Sequence, residues 1–133
     1  MMMIKGLFSG LAAVVAAGAA TGAGDNPMLG RWDWNPVKGQ CHEVHTYSAD
    51  GTARSESGTE VLIQSYVVTK MPGGWIRVDT TVVSGNGGKD CTGSPTPVGA
   101  KSTVYVMFQN YGGYLTCGAQ DGMSCYGSAA PKK

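Results

Sequence analysis

The chain has 133 residues, enough for one domain, and its 10 Lys plus Arg against 9 Asp plus Glu give a formal charge of +1. That balance excludes the basic footprint of a nucleic-acid binder and the polybasic patch of a membrane-surface protein. Charged residues are only 14%, glycine is 21 residues and apolar residues reach 42%, with no Gly-X-Y period, so neither a disordered tail nor a collagen-like fibre fits.

Residues 1–23 open the chain with Lys5, an uncharged apolar run from Gly6 to Ala17, and then small residues. This is the pattern of a secretory signal peptide with cleavage after Ala19 or Ala23, leaving 24–133 as a single domain. The run is too short and too rich in Ala and Gly for a membrane span. No cysteine precedes Cys41, so no lipid anchor on a cysteine follows the signal, and the exported product is expected in the periplasm or outside the cell.

Export makes the four cysteines, Cys41, Cys91, Cys117 and Cys125, candidates for two disulfides. Three pairings are possible. The turn-like Ala119-Gln120-Asp121-Gly122 sets Cys117 opposite Cys125 across a hairpin, so the preferred set is 117–125 with 41–91. No Cys-x-x-Cys pair exists for redox chemistry or a zinc ribbon.

From there on the chain is punctuated for hairpins. Asp50-Gly51, Ser57-Gly58, Pro72-Gly73-Gly74, Gly85-Asn86-Gly87-Gly88, Tyr111-Gly112-Gly113 and Asp121-Gly122 are turn signals. Between them lie Val-, Ile-, Thr-, Tyr- and Trp-rich runs at about 28–34, 41–48, 52–57, 60–70, 75–84, 102–109, 113–118 and 123–126. Ile76, Val78, Thr80 and Val82 share one face of their run, and Val104, Val106 and Phe108 share one face of theirs. None of the runs has helical periodicity. The sequence predicts an all-β fold: an antiparallel meander of about eight short strands, disulfide-stabilised, with no helix beyond the signal peptide. Closing the meander into a small up-and-down barrel removes exposed edges and is the economical answer, with an open sandwich second. The longest connection, 89–101, holds Cys91, Pro95 and Pro97 and reads as a pinned loop.

Met28-Leu29-Gly30-Arg31-Trp32-Asp33-Trp34 resembles the Gly-x-Trp signature that opens lipocalin-like (calycin) families, with Gly30 and Trp32 at the matching positions. The resemblance implies an up-and-down barrel whose first strand carries the Trp that closes its base. It also implies carriage or sensing of a small apolar ligand outside the cytoplasm. The family's Thr-Asp-Tyr motif is absent, and no arginine follows Arg77.

Catalytic and metal signatures are lacking. Cys41-His42-Glu43-Val44-His45 is one residue short of His-Glu-x-x-His and lies on a strand, where His45 shares a face with Cys41 and Glu43 and His42 takes the other. A disulfide at Cys41 removes it as a ligand, so no metal and no cofactor is expected. The glycine-rich 84–90 lacks the spacing and the following helix of a phosphate loop. No Gly-x-Ser-x-Gly elbow occurs and the carboxylates are scattered, so no catalytic residue is assigned and the protein is expected not to be an enzyme.

The remaining signal is aromatic. Trp32, Trp34, Trp75 and Tyr105 are the candidate ligand-binding residues of a non-catalytic exported carrier for a small apolar molecule, whose interior its own side chains would not fill. The alternative is a periplasmic inhibitor or immunity-type protein that binds a partner enzyme through Asp90, Thr92, Pro95 and Pro97 of the 89–101 loop. The expected partner is thus a small apolar ligand or an extracytoplasmic protein, with no nucleic acid and no membrane anchor.

Overall fold

The computed structural model describes residues 26–133, so the proposed signal segment 1–23 lies outside the described residues. Eight strands follow in order: β1 Gly30–Pro36, β2 Glu43–Tyr47, β3 Thr52–Ser57, β4 Glu60–Lys70, β5 Ile76–Gly85, β6 Lys101–Phe108, β7 Tyr114–Cys117 and β8 Cys125–Pro131. Each pairs antiparallel with the next, and β8 returns to β1, so the sheet closes into a barrel in chain order. Closure leaves no strand edge unpaired. Among the described residues the only helical element is a 3-10 turn at Pro72–Gly74, and none is long and apolar enough to cross a membrane as a helix. The fold is compatible with the calycin type.

Seven of the strands follow the sequence pattern to within two residues. The eighth does not. The run at 123–126 is a loop and only the start of a strand that continues to Pro131. Gly127-Ser128-Ala129-Ala130 carries no β-branched or aromatic residue, so nothing local marks it as extended. Tertiary pairing makes it a strand, with Trp34 opposite Ala129 and Trp32 opposite Pro131 on β1.

The alternation read in β5 and β6 sets the inside of the barrel. Ile76, Val78, Val82 and Val106 are buried, and Val104 and Phe108 pack against them. The lower end, where the chain enters, is a closed apolar plug of Met28, Trp32, Tyr66, Ile76, Tyr114 and their neighbours. Trp32 is only 7% exposed and meets Tyr114 and Phe108 edge-on at 4.9 and 6.0 Å between ring centroids. Its Nε1–H donates to the Met28 carbonyl at 2.8 Å, which fixes the incoming chain under the barrel. Asn26 ties the same segment to the Tyr66 hydroxyl at 2.7 Å, and that hydroxyl donates to the Ser48 carbonyl at 2.6 Å.

The upper end is held covalently. Cys41–Cys91 joins the β1–β2 loop to the β5–β6 loop, and Cys117–Cys125 clamps the β7–β8 hairpin, both as the sequence favoured. No cysteine is free, and two disulfides suit an oxidising, extracytoplasmic compartment.

Candidate functional site

The plug fills only the lower part of the barrel. Above it the walls enclose a cavity of about 230 Å³. At roughly 30 Å³ per molecule this is room for about seven or eight waters, below the usual range for drug-sized ligands and suited to a small one. Its apolar surface comes from Met28, Ala53, Val78, Val104 and Val106. Much of the rest is polar, because β2, β3 and the middles of β4 and β5 turn Glu43, His45, Ser55, Gln64 and Thr80 inward.

Trp34 organises one wall. Its ring stacks on the His45 imidazole, with centroids 5.9 Å apart and planes 21° from parallel. Its Nε1–H donates to Thr116 Oγ1 at 3.0 Å. The indole can lie this close to β8 because residue 127 is glycine, since a Cβ there would run into the ring. His45 Nε2 shares a hydrogen with Glu43 Oε1 at 2.8 Å, both side chains being about one-fifth exposed.

A bulge brings a further ring to the mouth. Thr116 pairs with Gly127 while Cys117 pairs with Cys125, which leaves Tyr126 as the extra residue on β8. Bulges re-aim side chains, and this one sets Tyr126 among the residues lining the cavity, edge-on to Trp34 at 6.3 Å.

Two phenols define the lower reach of the cavity. Tyr114 is 1% exposed and its hydroxyl has no hydrogen-bond partner. Burial pushes its pKa far above the ordinary tyrosine value, with smaller contributions from Tyr47 and Tyr111. Tyr47 is raised in the same direction, first by burial and then by Tyr66, Tyr126 and Glu43. The hydroxyl itself has almost no accessible surface, so it is sealed within the packing at the floor of the cavity.

Of the four candidate ligand-binding residues, the barrel brings two inward. Trp34 lines the cavity, and Trp32 forms part of the plug beneath it. Trp75 stands just before β5, outside the lining, and its carbonyl accepts from the Met71 amide at 2.8 Å. Tyr105 alternates with the inward Val104 and Val106, so it sits on the outer face, opposite Arg77 of β5. The sequence reading missed Glu43, His45, Tyr47, Gln64, Tyr114 and Thr116. Period two in Glu43-Val44-His45-Thr46-Tyr47 was the available signal, but a polar face is ordinarily assigned to solvent.

The loop carrying Asp90, Thr92, Pro95 and Pro97 stands beside the mouth and is pinned along its length. Asp90 Oδ1 accepts from the amides of Thr92 and Ser94, both at 2.9 Å, and from the Thr92 hydroxyl, which holds its carboxyl below the usual range. The buried Glu60 accepts from the Thr96 amide at 2.7 Å and from its hydroxyl at 3.1 Å. Ser57 Oγ accepts from the Cys91 amide at 3.0 Å. Pro95, Pro97 and Val98 are left exposed. Cys41, Glu43 and Cys91 lie together, but both sulfurs are committed to the disulfide, so this cluster is not a metal site.

No protein-family model, no curated protein and no solved structure matches the chain.

Proposed function

We propose that this is an exported, non-catalytic binding protein that holds one small molecule inside the barrel, against Trp34, His45 and Gln64. The observation that carries this reading is a cavity of about 230 Å³ lined by Trp34, His45 and Gln64 beside apolar wall. A protein that needed only a core would fill that volume, because unfilled space destabilises. The mixed lining favours a ligand with an apolar body and polar ends over a purely apolar one. The signature at Gly30 and Trp32 and the two disulfides support export and the carrier role.

The test is an amide and indole N–H chemical-shift map with para-ethylphenol as probe. Shifts centred on the Trp34 indole, Ser55, Gln64 and Thr80 are expected. Shifts confined to the 86–100 loop, or none, would overturn the reading.

A second reading is a protein that inhibits or neutralises an enzyme through that loop. It is favoured by the loop's rigidity and by apolar side chains exposed on the connections around the mouth, Val37, Val98 and Met123. A rigid loop loses little entropy on docking. Capture of an extracytoplasmic enzyme that fails when Pro95, Pro97 and Val98 are all changed to Ser would support it.

A further inference from the structure

Charge inside the barrel is one-sided. Among the described residues, Glu43 is the only carboxylate lining the cavity, and no lysine lines it. Arg54 touches the lining, but its guanidinium is turned to Glu56, Nε to Oε2 at 2.9 Å. His45 is the remaining candidate cation. Its Nε2 lies 2.8 Å from Glu43 Oε1 and leaves the other oxygen, Oε2, uninvolved.

The other carboxylate oxygen meets no protein donor, and the side chain is about one-fifth exposed at the mouth. Among the described residues, the neighbour recorded for Glu43 Oε2 is Cys41 Sγ at 3.8 Å, and that sulfur, being in a disulfide, has no hydrogen to give. Around Glu43 stand groups that tolerate a cation. The phenols Tyr47 and Tyr126 line the same cavity, and burial, with a smaller contribution from Glu43, raises the pKa of both. Ser55 and Gln64 add neutral oxygens to the lining. A carboxylate in a cleft with low-dielectric walls attracts positive ligands and repels negative ones more strongly than it would in water.

The cavity therefore has two unlike ends. Glu43 lies at the start of β2, at the disulfide-bonded mouth, and Tyr47 lies four residues further down the same inward face. At about 3.4 Å per residue those ends are roughly 14 Å apart along the strand. Ala53, Val78 and Val104 supply apolar wall in between.

We infer that the ligand is a small organic cation: a single-ring amine whose ammonium pairs with Glu43 Oε2 at the mouth and whose ring lies against the apolar wall below. This rests on the reading of the barrel as a ligand site, and it names the class of ligand. The ammonium supplies the charged N–H donor that Oε2 lacks, and a charge-assisted bond of this kind is about twice as strong as a neutral one. A carboxylate-bearing ring of the same size is rejected by Glu43.

The experiment is calorimetric titration of the oxidised protein at low ionic strength with three probes of one shape. They are tyramine (cationic), para-ethylphenol (neutral) and para-hydroxyphenylacetate (anionic). Tyramine is expected to bind at least about tenfold more tightly than the neutral phenol, and the anion more weakly than either. Glu43→Gln should abolish the advantage of tyramine over para-ethylphenol, both measured on the same variant. Equal affinity of wild type for tyramine and the phenol overturns the cation assignment while the ligand site stands. A tyramine advantage that survives in Glu43→Gln overturns the role of Glu43. Failure of all three probes to bind overturns both this inference and the ligand reading. The wild-type comparison among probes decides the matter even if the variant does not fold.

Discussion

Replacing Trp32 with Ala removes the side chain that seals the lower end of the barrel, and the structure sets the size of the effect. Trp32 is 7% exposed, so nearly all of its surface is withdrawn from water. An aromatic of this kind buries about 200 Å², worth about 5 kcal/mol at about 25 cal/mol per Å². The alanine keeps a part of that, and a compact unfolded chain lowers the reference further. Against this, the Met28 carbonyl loses its 2.8 Å donor in a buried setting, which costs about 1 kcal/mol or more. Tyr114 and Phe108 lose their edge-on partner and cannot both collapse into the space, since each is held by its own strand. The expected loss is about 4–5 kcal/mol, in line with large-to-small aromatic changes in cores. It is a large part of the roughly 5–15 kcal/mol of a whole domain. Urea unfolding of the oxidised protein, followed by near-ultraviolet circular dichroism, reads it directly. With a slope of about 1.5 kcal/mol per molar, the midpoint should fall by about 3 M. Trp32→Phe, which keeps a ring but loses the N–H, should cost less than half as much. A loss below about 1 kcal/mol for Trp32→Ala would refute the placement of this residue as the seal.

Tyr47 and Tyr114 have folded-state pKa values above their unfolded ones, so above about pH 10 the unfolded chain releases protons that the native state retains. Stability is therefore full below about pH 10 and falls as pH rises beyond it, by up to about 1.4 kcal/mol per pH unit for each tyrosine. Urea midpoints measured between pH 9 and about 11.5 check this, and a flat profile would contradict the burial of both phenols. Gly127→Ala places a methyl group in the Trp34 indole and should cost about 1–3 kcal/mol, with an altered Trp34 indole N–H resonance. An unshifted resonance would mean that the indole does not rest on β8. Tyr114→Phe removes a hydroxyl that has no partner, so thermal stability should be unchanged or about 1 kcal/mol higher, as read by thermal unfolding of the oxidised protein. A marked loss of stability would show that the hydroxyl is bonded in the free protein.

The barrel was legible because its walls obey local rules. The alternation of Ile76, Val78 and Val82, and of Val104, Val106 and Phe108, gives the inward faces of β5 and β6 without knowledge of their partners. The glycine-bearing turns set the strand lengths, and the Cys117–Cys125 hairpin followed from its intervening turn. The final strand was obscure because Gly127 and Ala129 are chosen by what they face, an indole and a plug, and small residues carry no pattern of their own. The cavity was obscure for the opposite reason. Glu43, His45 and Gln64 look like solvent-facing residues, and only ring closure turns them inward. Of the tryptophans, Trp32 and Trp34 share a face two residues apart and both point in, whereas Trp75 precedes its strand and stays outside the lining.

The central claim is that the space above the plug holds a small molecule, and native mass spectrometry tests it most directly. The protein would be purified gently from an oxidising compartment beside a Ser102→Phe variant, in which a ring occupies the cavity. A mass excess on the wild type that disappears on denaturation, and is missing from the equally well-folded variant, is the predicted result. An adduct carried equally by both proteins, or a bare wild type that none of the cationic, neutral or anionic probes converts to a complex, would contradict the account.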